Sequence, residues 1–317
     1  MATDLEELMV KAREASWRIH GKKIIFYHPG MFRYHDKWGR YSAISITGNS
    51  CELLCEHCKA RLLKPMIDVS TPKKLIDTCL ELEKQGNIGC LITGGFGKDG
   101  TLPWDDFLEA IKTVKESTGL HISVHGGIIG PDLACRMKKA GIDQALIDVV
   151  GDADTLKNVL HLDTGPEAIE STLKSLKHAG IPTAPHIVVG LDYGRISGEY
   201  EAIQMIKRHG PEALVIVSLM PLGGTPMCDI APPSPKDIAR IIATARLEMP
   251  DIPISLGCAR DRRNPETDVL AVDCGVNRIA IPSDEAIKRA EYYGLTIEWQ
   301  RTCCSVPFAI KEVKDDK

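Results

Sequence analysis

Three cysteines, Cys51, Cys55 and Cys58, stand in the run SITGNSCELLCEHC with the spacing C-x3-C-x2-C, directly after the β-branched stretch 43–47. Thiolates this close can hold three irons of a cubic iron–sulfur cluster and leave the fourth iron open to a small molecule. A structural zinc site asks for four ligands, commonly in paired spacings. The chain has no second C-x2-C to complete one. His57 is the neighbour that could serve as a fourth ligand, at the cost of strained geometry beside Cys58.

A loop of this kind needs a scaffold. Beyond residue 40, short β-branched runs alternate with helix-like segments, and strands are expected at 43–47, 90–93, 122–124, 145–150, 186–189, 213–218, 253–256 and 278–281. Thr71-Pro72, Gly130-Pro131 and Ser234-Pro235 put proline at a first helical position, where its missing N–H costs nothing. Gly86, Gly141 and Gly180 end helices, the last after Ile169, Leu173, Leu176 and Ala179 at helical spacing. Eight buried strands alternating with helices, at a length near the ~250 residues of a (β/α)8 barrel plus an extension, predict an α/β fold. The expected architecture is a closed (β/α)8 TIM barrel over 41–295, with an N-terminal helical extension at 1–40 and a cysteine-containing C-terminal tail at 296–317. Active sites of such barrels sit on the loops after the strands. The cysteine motif follows the first strand, Gly94-Gly95 the second, His125-Gly126-Gly127 the third and Gly190-Leu191 the fifth. Each glycine alone reads as a turn residue, but together they mark one rim.

Composition narrows the setting. Of 317 residues 44% are hydrophobic, and 39 basic against 43 acidic side chains give a net charge of −4. That balance lacks the basic stripe a nucleic acid selects, and no window is apolar enough to span a membrane. The start, MATDLEELMVKAREASWRIHG, reads as a charged amphipathic helix rather than a secretory leader. Eleven cysteines without disulfide-like spacing point to a reducing cytoplasm and to metal binding.

The cysteine spacing is similar to the signature of the radical SAM superfamily, and the likeness extends over most of the chain. VLHLDTGPEAIESTLKSLKHAGIPTAPHIVVGLDYG resembles the segment spanning strands 4 and 5 of the biotin synthase group, SLMPLGGTPM its strand 6 region, and ISLGCARDRR its strand 7 with a buried arginine. The resemblance implies that Cys51, Cys55 and Cys58 bind a [4Fe-4S] cluster whose open iron takes the amino and carboxylate groups of S-adenosylmethionine, from which a 5′-deoxyadenosyl radical is released. It implies that Gly94 and Gly95 let the backbone approach the methionyl amine, that Asp163 accepts from the ribose hydroxyls, and that Gly190 and Leu191 line the adenine. Phe96, His125 and His161 would complete this cofactor-binding rim. Three residues depart from the pattern: His57 replaces an aromatic residue, Phe96 a glutamate, and His161 an asparagine.

Biotin synthase holds a second cluster with three cysteines from strands 2, 3 and 5 and an arginine from strand 7. The matching positions here are Leu91, Ile122 and Ala184, and only Arg260 remains. Cys258, Cys274, Cys303 and Cys304 are instead the candidate ligands of an auxiliary cluster, although Cys274, like Cys79 and Cys135, also suits plain helix packing. In a strand, the spacing of Cys258 and Arg260 would turn both towards the barrel interior. A biotin synthase-like barrel with late cysteines resembles the two-protein lipoyl synthase of archaea and some bacteria. That likeness implies sulfur insertion at unactivated carbons of an octanoyl group on a lipoyl carrier domain, with Arg260 acting beside the cysteines. It also implies a homologous radical SAM partner and a ferredoxin- or flavodoxin-type electron donor. Two other readings stay open: a radical SAM enzyme without sulfur insertion, similar to methylornithine synthase or the hydrogenase maturases, and a non-catalytic metal protein.

Overall fold

The computed structural model describes residues 4–30, 33–34 and 36–306. Its strands begin with β1 (Lys23–Tyr27), β2 (Arg33–Tyr34), β3 (Lys37–Trp38), β4 (Tyr41–Ser45), β5 (Ile67–Asp68), β6 (Gly89–Thr93) and β7 (His121–His125). They continue with β8 (Gln144–Asp148), β9 (Thr183–Val189), β10 (Leu214–Ser218), β11 (Ile254–Leu256), β12 (Arg278–Ala280) and β13 (Thr296–Gln300). Eleven of them form one sheet in the order β13-β1-β12-β11-β10-β9-β8-β7-β6-β4-β5, with every ladder parallel. β2 and β3 pair separately as an antiparallel hairpin. The eight expected strands are present as β4 and β6 to β12, and the curled sheet with its coat of helices is an α/β barrel of the TIM type.

The helices are α1 (Leu5–His20), α2 (Pro72–Lys84), α3 (Trp104–Ser117), α4 (Pro131–Lys139), α5 (Ala153–Asn158), α6 (Pro166–Ala179), α7 (Glu199–His209), α8 (Pro235–Glu248), α9 (Glu266–Asp273) and α10 (Asp284–Tyr292). Pro72, Pro131 and Pro235 open α2, α4 and α8. Gly86, Gly141 and Gly180 follow α2, α4 and α6 with φ of 78°, 89° and 70°, left-handed values that cost glycine little. Helix α1 covers α8 and α9. There Ser16 Oγ donates to the Gly275 carbonyl at 2.6 Å, and a Cβ at Gly275 would come within 2.8 Å of Arg13 Cα.

Strands were also drawn from the segments expected as extension and tail. β1 lies between β12 and β13, with Ile24 and Phe26 in the outer core and Tyr27 in the interior. β13 is an edge strand with a half-exposed face, so its sequence TIEWQ carries no apolar run. Among the described residues the ladder does not pass from β13 to β4. The two are instead stitched by Arg40 N–H donating to the Arg301 carbonyl at 2.5 Å, and by the Arg301 guanidinium on the Trp38 carbonyl.

Strand alternation divides the side chains between the helix layer and the lumen. Ile122 and Val124 of β7 pack outwards with Ile92, so Ser123 and His125 face inwards. Ile122 is therefore not the lumen position that the biotin synthase comparison assigned to it; Ser123, which accepts from Tyr41 Oη at 2.9 Å, takes that place. Leu91, Leu146, Ala184 and Ala213 form one apolar patch of the interior. The chain after β13 turns into this space. Ser255 Oγ donates to the Cys304 carbonyl at 3.0 Å, Gln144 Nε2 to the Ser305 carbonyl at 3.0 Å, and Tyr27 Oη to the Val306 carbonyl at 3.2 Å. The remainder of the expected tail lies outside the described residues.

Arg260 does not face the lumen with Cys258. β11 ends at Leu256, so strand alternation does not carry through to residue 260. Its guanidinium is 1% exposed and spends all five N–H groups on the scaffold: two on Asp268 of α9, and one each on the carbonyls of Gly257, Ala280 and Ile281, counting the two bonds of Nη1 and two of Nη2. It ties the ends of β11 and β12 to α9. Removing one partner of such a buried pair strands the other, so Asp268→Ala is expected to lower stability by roughly 3–5 kcal/mol. The urea midpoint measures this, and an unchanged midpoint would show that the pair carries no such burden.

Candidate radical site

The cysteine loop leaves β4 and crosses the barrel rim. Leu54, Lys59 and Ala60 hold positive φ of 45°, 44° and 60°, a concentration of strained backbone in one short loop. The surroundings pin it. Glu52 N–H donates to the Phe96 carbonyl and Glu56 N–H to the Val159 carbonyl, both at 2.8 Å. Thr47 Oγ1 accepts from Gly95 N–H at 2.6 Å and donates to the Ser50 carbonyl at 3.0 Å. A Cβ on Gly95 would lie 2.0 Å from the Ser50 carbonyl and 2.4 Å from Cys51 Cβ, so the loop occupies the space that only glycine leaves. Beside it, Thr47, Cys51, Glu52, Gly95 and Phe96 line a cleft of about 320 Å³.

The thiols suit a metal cluster. Cys55 and Cys58 are buried and Cys51 is partly exposed. The hydrogen bond from Cys55 outweighs burial and, helped by His57, holds the Cys58 thiol well below its ordinary range, while Cys55 moves up. A thiolate is the form that binds iron. His57 Nδ1 is buried without a hydrogen-bond partner in the described structure. Three thiols on one pinned loop, beside an open cleft, fit a cluster with three protein ligands.

The other expected residues divide. His161, itself at a positive φ of 59°, contacts the Leu53 carbonyl through Nδ1 at 2.7 Å and Glu56 through Nε2 at 2.9 Å, so it braces the cysteine loop. Asp163 is exposed on the loop before α6. Gly190 N–H is taken by Glu199 at 2.7 Å, and Leu191, buried beside it, lines a small hollow with Val149, Val150 and Asp192. Gly94 stands close to Thr47 and Leu102.

His125 falls elsewhere, in the lumen. Its ring lies 6.5 Å from that of Phe96 and 5.9 Å from that of His186, centre to centre, and its Nε2 is 3.4 Å from Asp148 Oδ1. Asp148, an inward residue of β8, retains 44% of its side-chain surface. Burial acts to raise the Asp148 carboxyl; the charge and hydrogen bond of His125 overcome it and bring the group down to about 2. Burial pushes His186 down to about 4. Asp148 and His186 escaped sequence reasoning; Asp148 ends β8 and His186 lies midway along β9, both at inward positions, and a polar residue at an inward strand position is the signal that would have found them.

Of the late cysteines, Cys258, Cys303 and Cys304 gather in one interior cluster with Tyr27, Val215 and Val217. Cys274 does not join them. It caps α9, fully buried, with its thiol on the Ala239 carbonyl at 3.4 Å, as a packing residue. Among the described residues, the groups whose ligand atoms all converge within 4.8 Å are Cys55–His57–Cys58 and His125–Asp148–His186, so the three lumen thiols are neighbours without forming such a group.

Residues 45–195 match the radical SAM superfamily, and residues 216–311 match the Biotin and Thiamin Synthesis associated domain. The chain carries a radical SAM domain and is similar to the biotin synthase-like group of radical SAM proteins. It is 26% identical to the biotin synthase of Prochlorococcus marinus (strain MIT 9515) over 246 residues, covering 75% of this chain and 72% of the relative. It is also 26% identical to that of Zymomonas mobilis over 258 residues, covering 78% and 76%. Among solved structures the fold is shared with methylornithine synthase (TM-score 0.65, 17% identity, 92% and 89% covered). It is shared too with the FeFe-hydrogenase maturase HydG from Carboxydothermus hydrogenoformans (TM-score 0.62, 16% identity, 92% and 72% covered). The protein is thus a radical SAM enzyme that uses a [4Fe-4S] cluster and S-adenosylmethionine. No helix among the described residues is long and apolar enough to cross a membrane.

The Gly95 contact gives a direct test. Gly95→Ala must displace Ser50 and Cys51, so the reconstituted variant is expected to retain well under half the iron of the unaltered chain, with a melting temperature little changed. Full iron retention would mean that the loop is not held by this contact.

Proposed function

We propose that the enzyme inserts sulfur into unactivated C–H positions of a protein-bound octanoyl group, as a sulfurtransferase of the lipoyl synthase type. The observation that carries this reading is the placement of Cys258, Cys303 and Cys304 in the lumen, on a biotin synthase-like scaffold that lacks the biotin-type cysteines. Leu91, Ser123 and Ala184 fill the places those cysteines would need. The three thiols are the residues that would hold an auxiliary cluster. When bound, S-adenosylmethionine and the iron–sulfur clusters supply a 5′-deoxyadenosyl radical and the sulfur.

The chain's own residues supply position and dryness. An alkyl chain offers no polar handle, and Tyr27, Val188, Val215 and Val217 give the lumen an apolar wall beside the thiols. The pinned cysteine loop fixes where the radical is generated relative to that wall, since a reacting carbon must be held within near-attack distance. An apolar lumen also excludes water from a reactive centre. An octanoylated lipoyl carrier domain as substrate, a homologous radical SAM protein as partner, a ferredoxin- or flavodoxin-type donor and a cytoplasmic setting belong to the same proposal.

A second reading keeps the radical and drops the sulfur. It is favoured by one observation: the lumen thiols do not converge as a ligand group. Iron and sulfide near about four per chain would support it, and about eight would support sulfur insertion.

The test gives anaerobically reconstituted protein S-adenosylmethionine, dithionite and an octanoylated lipoyl-domain peptide, with and without the homologous partner. Release of 5′-deoxyadenosine together with a gain of sulfur mass on the peptide is expected. Nucleoside release with an unchanged peptide under both conditions would overturn sulfur insertion on this substrate. In the same assay Cys55→Ala is expected to abolish nucleoside release, and Cys303→Ala to remove the sulfur gain while nucleoside release persists.

A further inference from the structure

We propose that His125, Asp148 and His186 form a divalent-metal site in the barrel lumen, built from residues outside the cysteine loop, and the proposal does not rest on the substrate proposed above. The three residues come from neighbouring parallel strands. His125 and Asp148 are the last residues of β7 and β8, and Asp148 is paired in register with His186 of β9. His125 pairs with Leu146, so Asp148 lies one inward position further along, and the slant of the strands brings the three side chains together. One ligand atom from each falls within 4.8 Å of the other two.

The donor set is two imidazoles and one carboxylate, the set that binds first-row divalent ions on one face and leaves further positions open. A supporting contact fixes one ring. His186 Nδ1 lies 3.0 Å from the Ala184 carbonyl; since a carbonyl only accepts, the proton sits on Nδ1 and the Nε2 lone pair is left to offer. A second hydrogen bond of this kind orients most metal-binding histidines. The accessible surface of Asp148 keeps the site open to the lumen, so an ion there could take its remaining ligands from a polar group of a molecule in the barrel.

The test uses the full chain with its cysteine-bound cluster reconstituted, stripped of loosely held metal, and titrated anaerobically with Mn(II), which favours oxygen and nitrogen donors over soft thiolates. The expected result is saturable loss of the free-ion EPR signal at one equivalent per chain, with imidazole nitrogen modulation in the bound signal. Asp148→Asn and His186→Ala are each expected to weaken binding by roughly tenfold or more while iron content is retained. Absence of saturable binding by the unaltered chain, or a bound signal without nitrogen modulation, would overturn the site. So would an affinity in both variants equal to that of the unaltered chain. The unaltered chain alone can decide against the proposal, so a variant that fails to fold does not shield it.

Discussion

A sheet in which every ladder is parallel delivers all its strand ends to one rim, and the chemistry of this protein depends on that delivery. The cysteine loop after β4 and the Gly94-Gly95 turn after β6 belong to neighbouring strands, so they meet side by side. Their contact is close enough that a single Cβ would separate them. The loop's strained residues are tolerated because hydrogen bonds from two other loops, after β6 and after α5, over-determine its path. Rigidity at the rim is therefore borrowed from the sheet rather than made by the loop.

Below the rim, the lumen is neither a packed apolar core nor a polar channel. One part is apolar, one holds three thiols, and one holds the His–Asp–His group. The carboxylate of Asp148 is kept ionised there only because imidazoles face it, since a lone charge in such a space would be expensive. Arg260 shows the opposite solution. Its charge is removed from the lumen and matched by a carboxylate and three carbonyls in the wall.

The repeating unit was legible because buried parallel strands are β-branched throughout, and because proline and glycine mark helix ends with plain stereochemistry. β1 and β13 were not, since five-residue strands with mixed exposure give too little pattern to stand out from an extension or a tail. The cysteine loop could be read from spacing alone, because its ligands are near in sequence. The lumen could not. Which residue of 122 and 123 faces inwards is a one-residue question of register, and Arg260 was misplaced because the strand before it stops at Leu256. His125 was noticed for its glycine neighbours, but the residues that meet it come from other strands, and such convergence is a property of register that no local motif encodes.

The place of β1 in the sheet has a consequence for how the protein is made. This strand, near the start of the chain, has only β12 and β13 as its sheet neighbours, and both lie near the other end. During synthesis, which proceeds at about 5–20 residues per second, β4 to β11 can pair in succession as they emerge, while β1 must wait for almost the entire chain. The segment that fills the lumen is later still, because it follows β13. Assembly thus has a built-in order: the rim with Cys51, Cys55 and Cys58 is complete while the barrel is still open at its side, and the thiols of Cys303 and Cys304 are brought in last. A chain cut short before β12 would carry its iron-binding loop on a sheet with a raw edge, and the cell would meet it as a substrate for aggregation or proteolysis rather than as a smaller enzyme.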